Sequence, residues 1–146
     1  MTFTKSIKTC FSKYVTFAGR ASRLEFWYFM LFCLLGNTIL SLFDGFVLGM
    51  SSIQPASSVF GLVTFLPSIC ATTRRLHDCN RRGWWQLIWL APVFFIGAGY
   101  GLDMSNLMIV GGIATIACFV MLLVWLIAKG SEGDNRFGSN PLAADV

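Results

Sequence analysis

Four arginines, a histidine and an aspartate stand within the nine residues RRLHDCNRR, Arg74 to Arg82, of a chain otherwise sparing with charge. Guanidinium forks pair with phosphate and carboxylate oxygens and keep their charge at physiological pH, so Arg74, Arg75, Arg81 and Arg82 together point to an anion. His77 beside Asp78 is the one conceivable acid and base pair, suited to proton transfer at a lipid headgroup. His77 with Cys79 makes a weak ligand pair, short of the three or four ligands of a zinc site, and no metal or other cofactor is expected. A P-loop, a GxSxG nucleophile turn and spaced carboxylate pairs are all missing, so the chain reads as non-enzymatic. If RRLHDCNRR is helical, Asp78 lies three or four residues from each of the four arginines. One carboxylate would then leave a net positive surface. The plainer alternative is that these charges only anchor the chain's orientation in a membrane.

The elements around this segment are apolar. Of 146 residues 55% are hydrophobic and 12% charged, with a mean hydropathy of +0.67; soluble domains carry about 25% charged residues. The expected class is an all-α integral membrane protein, residues 1–146 forming a single membrane domain. Four segments approach the ~20 residues a hydrocarbon core requires: about 26–48, 56–73, 84–100 and 107–128. Pro67 and Pro92 should kink the second and third. The first 23 residues hold Lys5, Lys8, Lys13, Arg20 and Arg23 and lack the apolar centre of a signal peptide, so the N-terminus is expected to be retained. Cys10, Cys33, Cys70, Cys79 and Cys118 show no zinc spacing and are expected as free thiols.

All eleven lysines and arginines fall before the first span, between the second and third, or after the fourth. The positive-inside rule makes that side cytoplasmic and puts both termini there. Glu25, Asp78, Glu132, Asp134 and Asp145 reduce the inner face to +6, and Asp44 and Asp103 give the outer face −2. Trp27, Trp84, Trp85 and Trp125, with Trp89 a turn deeper, mark the same inner leaflet, where the ring is buried and its N–H stays wet.

Phe3, Ile7, Cys10, Phe11, Tyr14 and Val15 recur at helical spacing and predict a short interfacial helix within 1–23. SRLE, Ser22 to Glu25, has the form of a capping box opening the first span; Glu25 could instead, or also, pair with an arginine of the 74–82 segment. Asn37 lies mid-span, where an amide can bond across helices, and Asp44 sits near the outer end. No acidic residue falls at the bilayer centre, which argues against a proton-coupled transporter. Gly111 and Gly112 permit close helix approach. Lys129 and Gly130 suggest a basic last turn and a left-handed cap, and GSEGDNRFGSNP after them is turn chemistry.

FAGRASRLEFWYF (Phe17 to Phe29), a proline in span two, RRLHDCNRRGWWQL (Arg74 to Leu87) leading to Pro92, and GDNRFGSNP (Gly133 to Pro141) together resemble the bacterial domain of unknown function 805 family. The match runs over nearly the whole chain. The chain departs from the family at Asn80, Arg81, Arg82, Gly83 and Trp84, where members commonly have a small residue and Ser-Gly-Trp, and this adds basic charge. The resemblance implies a small, multi-pass protein of the bacterial inner membrane and supplies no reaction.

GRASRLE, RRLHD and GDNRFG fall on one face by the charge count. They are expected to converge into a polar cluster of Arg20, Arg23, Glu25, Arg74, Arg75, His77, Asp78 and Asn135, with Arg81 and Arg82 beside it. The leading expectation is a module whose cluster holds an anionic membrane lipid or the acidic segment of a membrane-protein partner. No nucleic acid partner is expected. A small channel or transporter subunit, acting as a homo-oligomer, is the alternative.

Overall fold

The computed structural model describes residues 1–49 and 54–142 of the chain. Residues 50–53, between the first two long helices, and the tail end 143–146, with Asp145, lie outside the described residues. The regular elements are helical: α1 (Phe3–Ser12), α2 (Arg23–Phe46), α3 (Pro55–Asp78), a 3₁₀ turn (Gly83–Leu87), α4 (Leu90–Gly101) and α5 (Ser105–Ile127). Three of them, α2, α3 and α5, are long and apolar enough to cross a membrane. At a rise of 1.5 Å per residue each reaches about 35 Å.

The expected span 84–100 is not one continuous α-helix. It divides into the 3₁₀ turn and α4, whose 12 residues reach only about 18 Å. Pro92 is the third residue of α4, where its missing N–H has no intrahelical partner to lose, so it opens the helix instead of kinking it. The segment nevertheless runs beside α5 for most of that helix's length. A Cβ on Gly99 would lie 2.9 Å from the backbone nitrogen of Met108, and one on Gly111 3.0 Å from that of Ile96. Farther along, Trp85 meets Trp125 edge to face at 5.3 Å. Of the two expected contact glycines only Gly111 is used; Gly112 has open space around it.

Helices α2 and α3 form a second antiparallel pair. Gly36 receives the ring of Phe60. At one end the buried Asp44 carboxylate accepts from the backbone N–H groups of Ala56 (3.1 Å) and Ser57 (2.9 Å), capping α3 from a neighbouring helix. Its place near the end of α2 thus answers the positive pole of α3.

Pro67 falls inside α3 and cannot donate to the carbonyl of Val63. Tyr14, in the segment after α1, donates its hydroxyl to that carbonyl at 2.7 Å. Thr64, Ser68 and Thr72 each bond to the carbonyl four residues back. The expected N-terminal helix is present as α1, and Phe11 packs edge-on against Phe29 (5.7 Å) and Phe32 (6.1 Å) of α2. The core is small and lies at this end of the bundle, around Cys10, Phe26, Phe29 and Ala71. Elsewhere the apolar side chains of α5 point outward, as a lipid-facing helix requires.

Candidate functional site

The two largest fully buried side chains among the described residues are Arg74 and Arg75, in the last turns of α3. A buried guanidinium is tolerated only when charge and hydrogen bonds answer it. Arg74 bonds through Nη1 to Glu25 of α2. Ser22 caps α2 by accepting from the Glu25 N–H at 3.2 Å. The Glu25 carboxylate turns to Arg74, so SRLE supplies half of the expected capping box together with the expected ion pair. Cys10 of α1 completes the group, its Sγ 3.8 Å from Arg74 Nη2 and 4.0 Å from Glu25 Oε1. Burial, then the Glu25 carboxylate, push the Cys10 thiol up to about 11, so it stays protonated.

Arg75 divides its fork. Nη1 bonds to Asp78, while Nε and Nη2 donate to the carbonyls of Leu126 and Ala128. These are unpaired carbonyls at the end of α5, and a cation there also meets the negative pole of the helix. Arg23 adds a bond to Ala128 O at 3.1 Å. The left-handed glycine cap expected at Gly130 does not form: Ala128 leaves the helix in extended conformation, and arginines from α2 and α3 take over the capping. Gly130 serves differently, since a Cβ there would collide with the Asp78 carboxylate.

Asp78 accepts from Arg75 and from the other side Arg20, whose Nε lies at 3.0 Å and Nη2 at 2.9 Å. Arg20 also donates to the carbonyls of Ser131 (2.7 Å) and Gly133 (2.6 Å), tying the tail to the helix ends. Asn135 donates to His77 O at 3.0 Å, and Phe137 stacks on the His77 ring at 3.9 Å. The tail therefore folds back over this end, and Asn140 and Leu142 line a pocket there with Ser22, Arg23 and Leu24.

All eight residues expected in the cluster, Arg20, Arg23, Glu25, Arg74, Arg75, His77, Asp78 and Asn135, converge here, but not as one carboxylate among four arginines. Helix α3 stops at Asp78 because Asn80 takes a left-handed conformation (φ 55°). The N–H of Asn80 bonds to His77 O and that of Arg81 to Leu76 O, the pattern of a Schellman end. Arg81 and Arg82 thereby leave the helix and the reach of Asp78. Arg81 lies over the ring of Trp125, 3.8 Å from its centroid. Arg82 is exposed, and no described side chain pairs with it. His77 and Asp78 are likewise separated, His77 turning Nδ1 to Gly19 O at 3.1 Å while Asp78 faces two guanidiniums.

Sequence reasoning missed an open groove of about 720 Å³ beside the cluster. Phe17, Trp84, Leu87 and Phe137 give it apolar walls, with His77 and Arg82 among its lining residues. Its wall depends on Gly83, since a Cβ there would meet Thr73. Four separate segments build it, so no single motif announces it.

Residues 14–139 match the family described as protein of unknown function, DUF805. The chain belongs to this family. Among DUF805 relatives, the inner membrane protein YhaI of Escherichia coli strain K12 is 33% identical over 128 residues, covering 88% of this chain and 87% of YhaI. The inner membrane protein YhaH of the same strain is 32% identical over 131 residues, covering 88% of each chain. No solved structure matches. This DUF805 chain is an inner-membrane protein with several membrane-crossing helices, and the matched range holds the clasp of Arg20, Glu25, Arg74, Arg75 and Asp78.

Proposed function

We propose that the protein is a non-enzymatic inner-membrane module that holds an anionic phospholipid, its phosphate at Arg82 and an acyl chain along the groove. The buried arginines are architectural: Arg20 and Arg75 direct their donors to Asp78 and to backbone carbonyls, and Arg74 directs its two Nη groups to Glu25 and Cys10. The carrying observation is that Arg82, exposed and without an acidic partner among the described residues, borders a largely apolar groove. An amphiphile offers a phosphate to the first and a hydrocarbon chain to the second, and arginine prefers phosphate geometry. Arg81 and Arg136 add positive charge on the same end.

Native mass spectrometry of protein extracted with its surrounding lipid tests this. Wild type is expected to carry a phosphatidylglycerol or cardiolipin adduct, and Arg82→Gln to lose most of it, about tenfold in occupancy for one charged contact, while its melting temperature stays unchanged. Equal occupancy in the two proteins would refute the site.

In this reading the chain crosses the membrane four times, with both termini in the cytoplasm. The 3₁₀ turn and α4 make the third crossing together. Their contacts with α5 run from Trp125 to Met108, about 26 Å along that helix, and the lysines and arginines all fall at one end. A phosphatase that works only in the periplasm is expected to be active when inserted after Asp103 and inactive when fused to the C-terminus. The reverse pattern would invert the topology.

A further inference from the structure

Asn37 is exposed on α2, and its side-chain amide bonds to nothing among the described residues. The polar groups around it are already engaged. Thr38 donates to Leu34 O at 2.8 Å, Ser41 to Gln54 Oε1 at 3.0 Å, and Cys33 lies 3.8 Å from the Ser68 hydroxyl. By helical rise Asn37 is about 15 Å from Trp27 and about 14 Å from Phe46, which puts it near the middle of a hydrocarbon core. A long lysine could snorkel to the interface from there, but an asparagine amide is too short. Water and headgroups are out of reach at that depth, and an unpaired amide in hydrocarbon is costly.

The side of α2 that packs on α3 is marked by Gly36 against Phe60, Cys33 beside Ser68 and Ser41 bonded to Gln54, and Asn37 lies at its border. Asn37 is exposed there in a shallow groove of about 530 Å³, between Leu34 and Leu42 and bordered toward α3 by Cys33 and Ser41. No charged residue lines this groove, so two copies would meet there without repulsion.

We infer that this face of α2 is the seat of a homodimer in which Asn37 of one copy and the partner's Asn37 hydrogen-bond to each other across a two-fold axis. The carboxamide itself points to a second copy. It carries donors and acceptors together and is therefore complementary to itself, which a two-fold interface exploits because each side presents the same patch. The inference is independent of the lipid groove, which lies at the RRLHD end of the bundle.

The test is energy transfer between full-length copies carrying donor or acceptor dyes at the C-terminus, in vesicles of phosphatidylethanolamine and phosphatidylglycerol over a range of protein-to-lipid ratios. Wild type is expected to show saturable transfer that survives lipid dilution. Asn37→Leu and Asn37→Ala should weaken association by about tenfold, whereas Asn37→Gln, which keeps the amide, should stay within about threefold of wild type. Because Asn37 is exposed and its amide bonds to nothing among the described residues, the melting temperatures of both apolar variants should not fall. Transfer that only tracks crowding, or a leucine variant associating like wild type, would overturn the dimer. Apolar variants that fail to fold would overturn it equally, since Asn37 would then have a role inside its own chain.

Discussion

Asp78→Ala is expected to destabilise the protein by about 3–5 kcal/mol, the cost of leaving buried charge without its partner. Two guanidiniums depend on this carboxylate, Arg20 from the loop before α2 and Arg75 from its own helix, and the three side chains are all at least nine-tenths buried. Removing it strands both cations. It also loosens the tail, because Arg20 is what holds the carbonyls of Ser131 and Gly133. In detergent the melting temperature should fall on the order of 10 °C, and limited proteolysis should cut within 130–142 before the helices are attacked. Asp78→Asn keeps the shape and removes the charge, so it should recover only part of the loss. A variant melting within a degree or two of wild type, with its tail still protected, would show that the clasp contributes nothing.

The membrane class was legible because it rests on quantities summed over the chain. Long apolar runs and one-sided arginine need no knowledge of packing, and α2, α3 and α5 fall close to their expected limits. The convergence of GRASRLE, RRLHD and GDNRFG was legible for a related reason: three polar blocks at the same end of short helices have little room to stay apart. Which charge meets which was not legible. Counting i, i+3 and i, i+4 neighbours of Asp78 assumes that the helix continues, and Asn80 ends it. The signal was present, since asparagine is the residue after glycine most at ease in a left-handed cap. Capping of α5 by Arg75 and Arg23 left no such signal, for it joins residues about 50 and 100 positions apart. Pro92 was misplaced because proline reads alike as a kink or as a first-turn residue.

The face charge of +6 also needs reinterpretation. It counts Arg20, Arg74 and Arg75 as though they faced solvent, yet their guanidiniums lie inside the protein and are committed to Asp78, Glu25 and backbone carbonyls. Among the arginines, the charge open to a ligand comes from Arg23, Arg81, Arg82 and Arg136 around the rim. Arginines placed at one end by topology have thus been divided between construction and surface, and only the second group is free to attract an anion.

The pair of Glu25 and Arg74 offers the sharper test of that division. Glu25→Leu should cost about 3–5 kcal/mol because it leaves Arg74 buried without a counter-charge, and Arg74→Met should cost a similar amount by stranding Glu25. The double variant Glu25→Leu/Arg74→Met removes both charges and refills the space with hydrocarbon beside Cys10, Phe26 and Ala71. Burying an ion pair costs desolvation that hydrophobic residues of similar volume avoid, so the double variant should melt near or above wild type. The lipid adduct at Arg82 should survive in it, because neither residue lines the groove. If the double variant instead loses what the two singles lose together, the pair is not coupled and each residue acts through other contacts. If it folds well but loses the adduct, Arg74 belongs to the binding surface and the split between structural and exposed arginines is wrong. Arg74 Nε, a buried nitrogen that no protein atom satisfies, is a further reason to expect the first result: even with Glu25 in place one donor goes unmet, so replacing the whole group gives up less than its charges suggest.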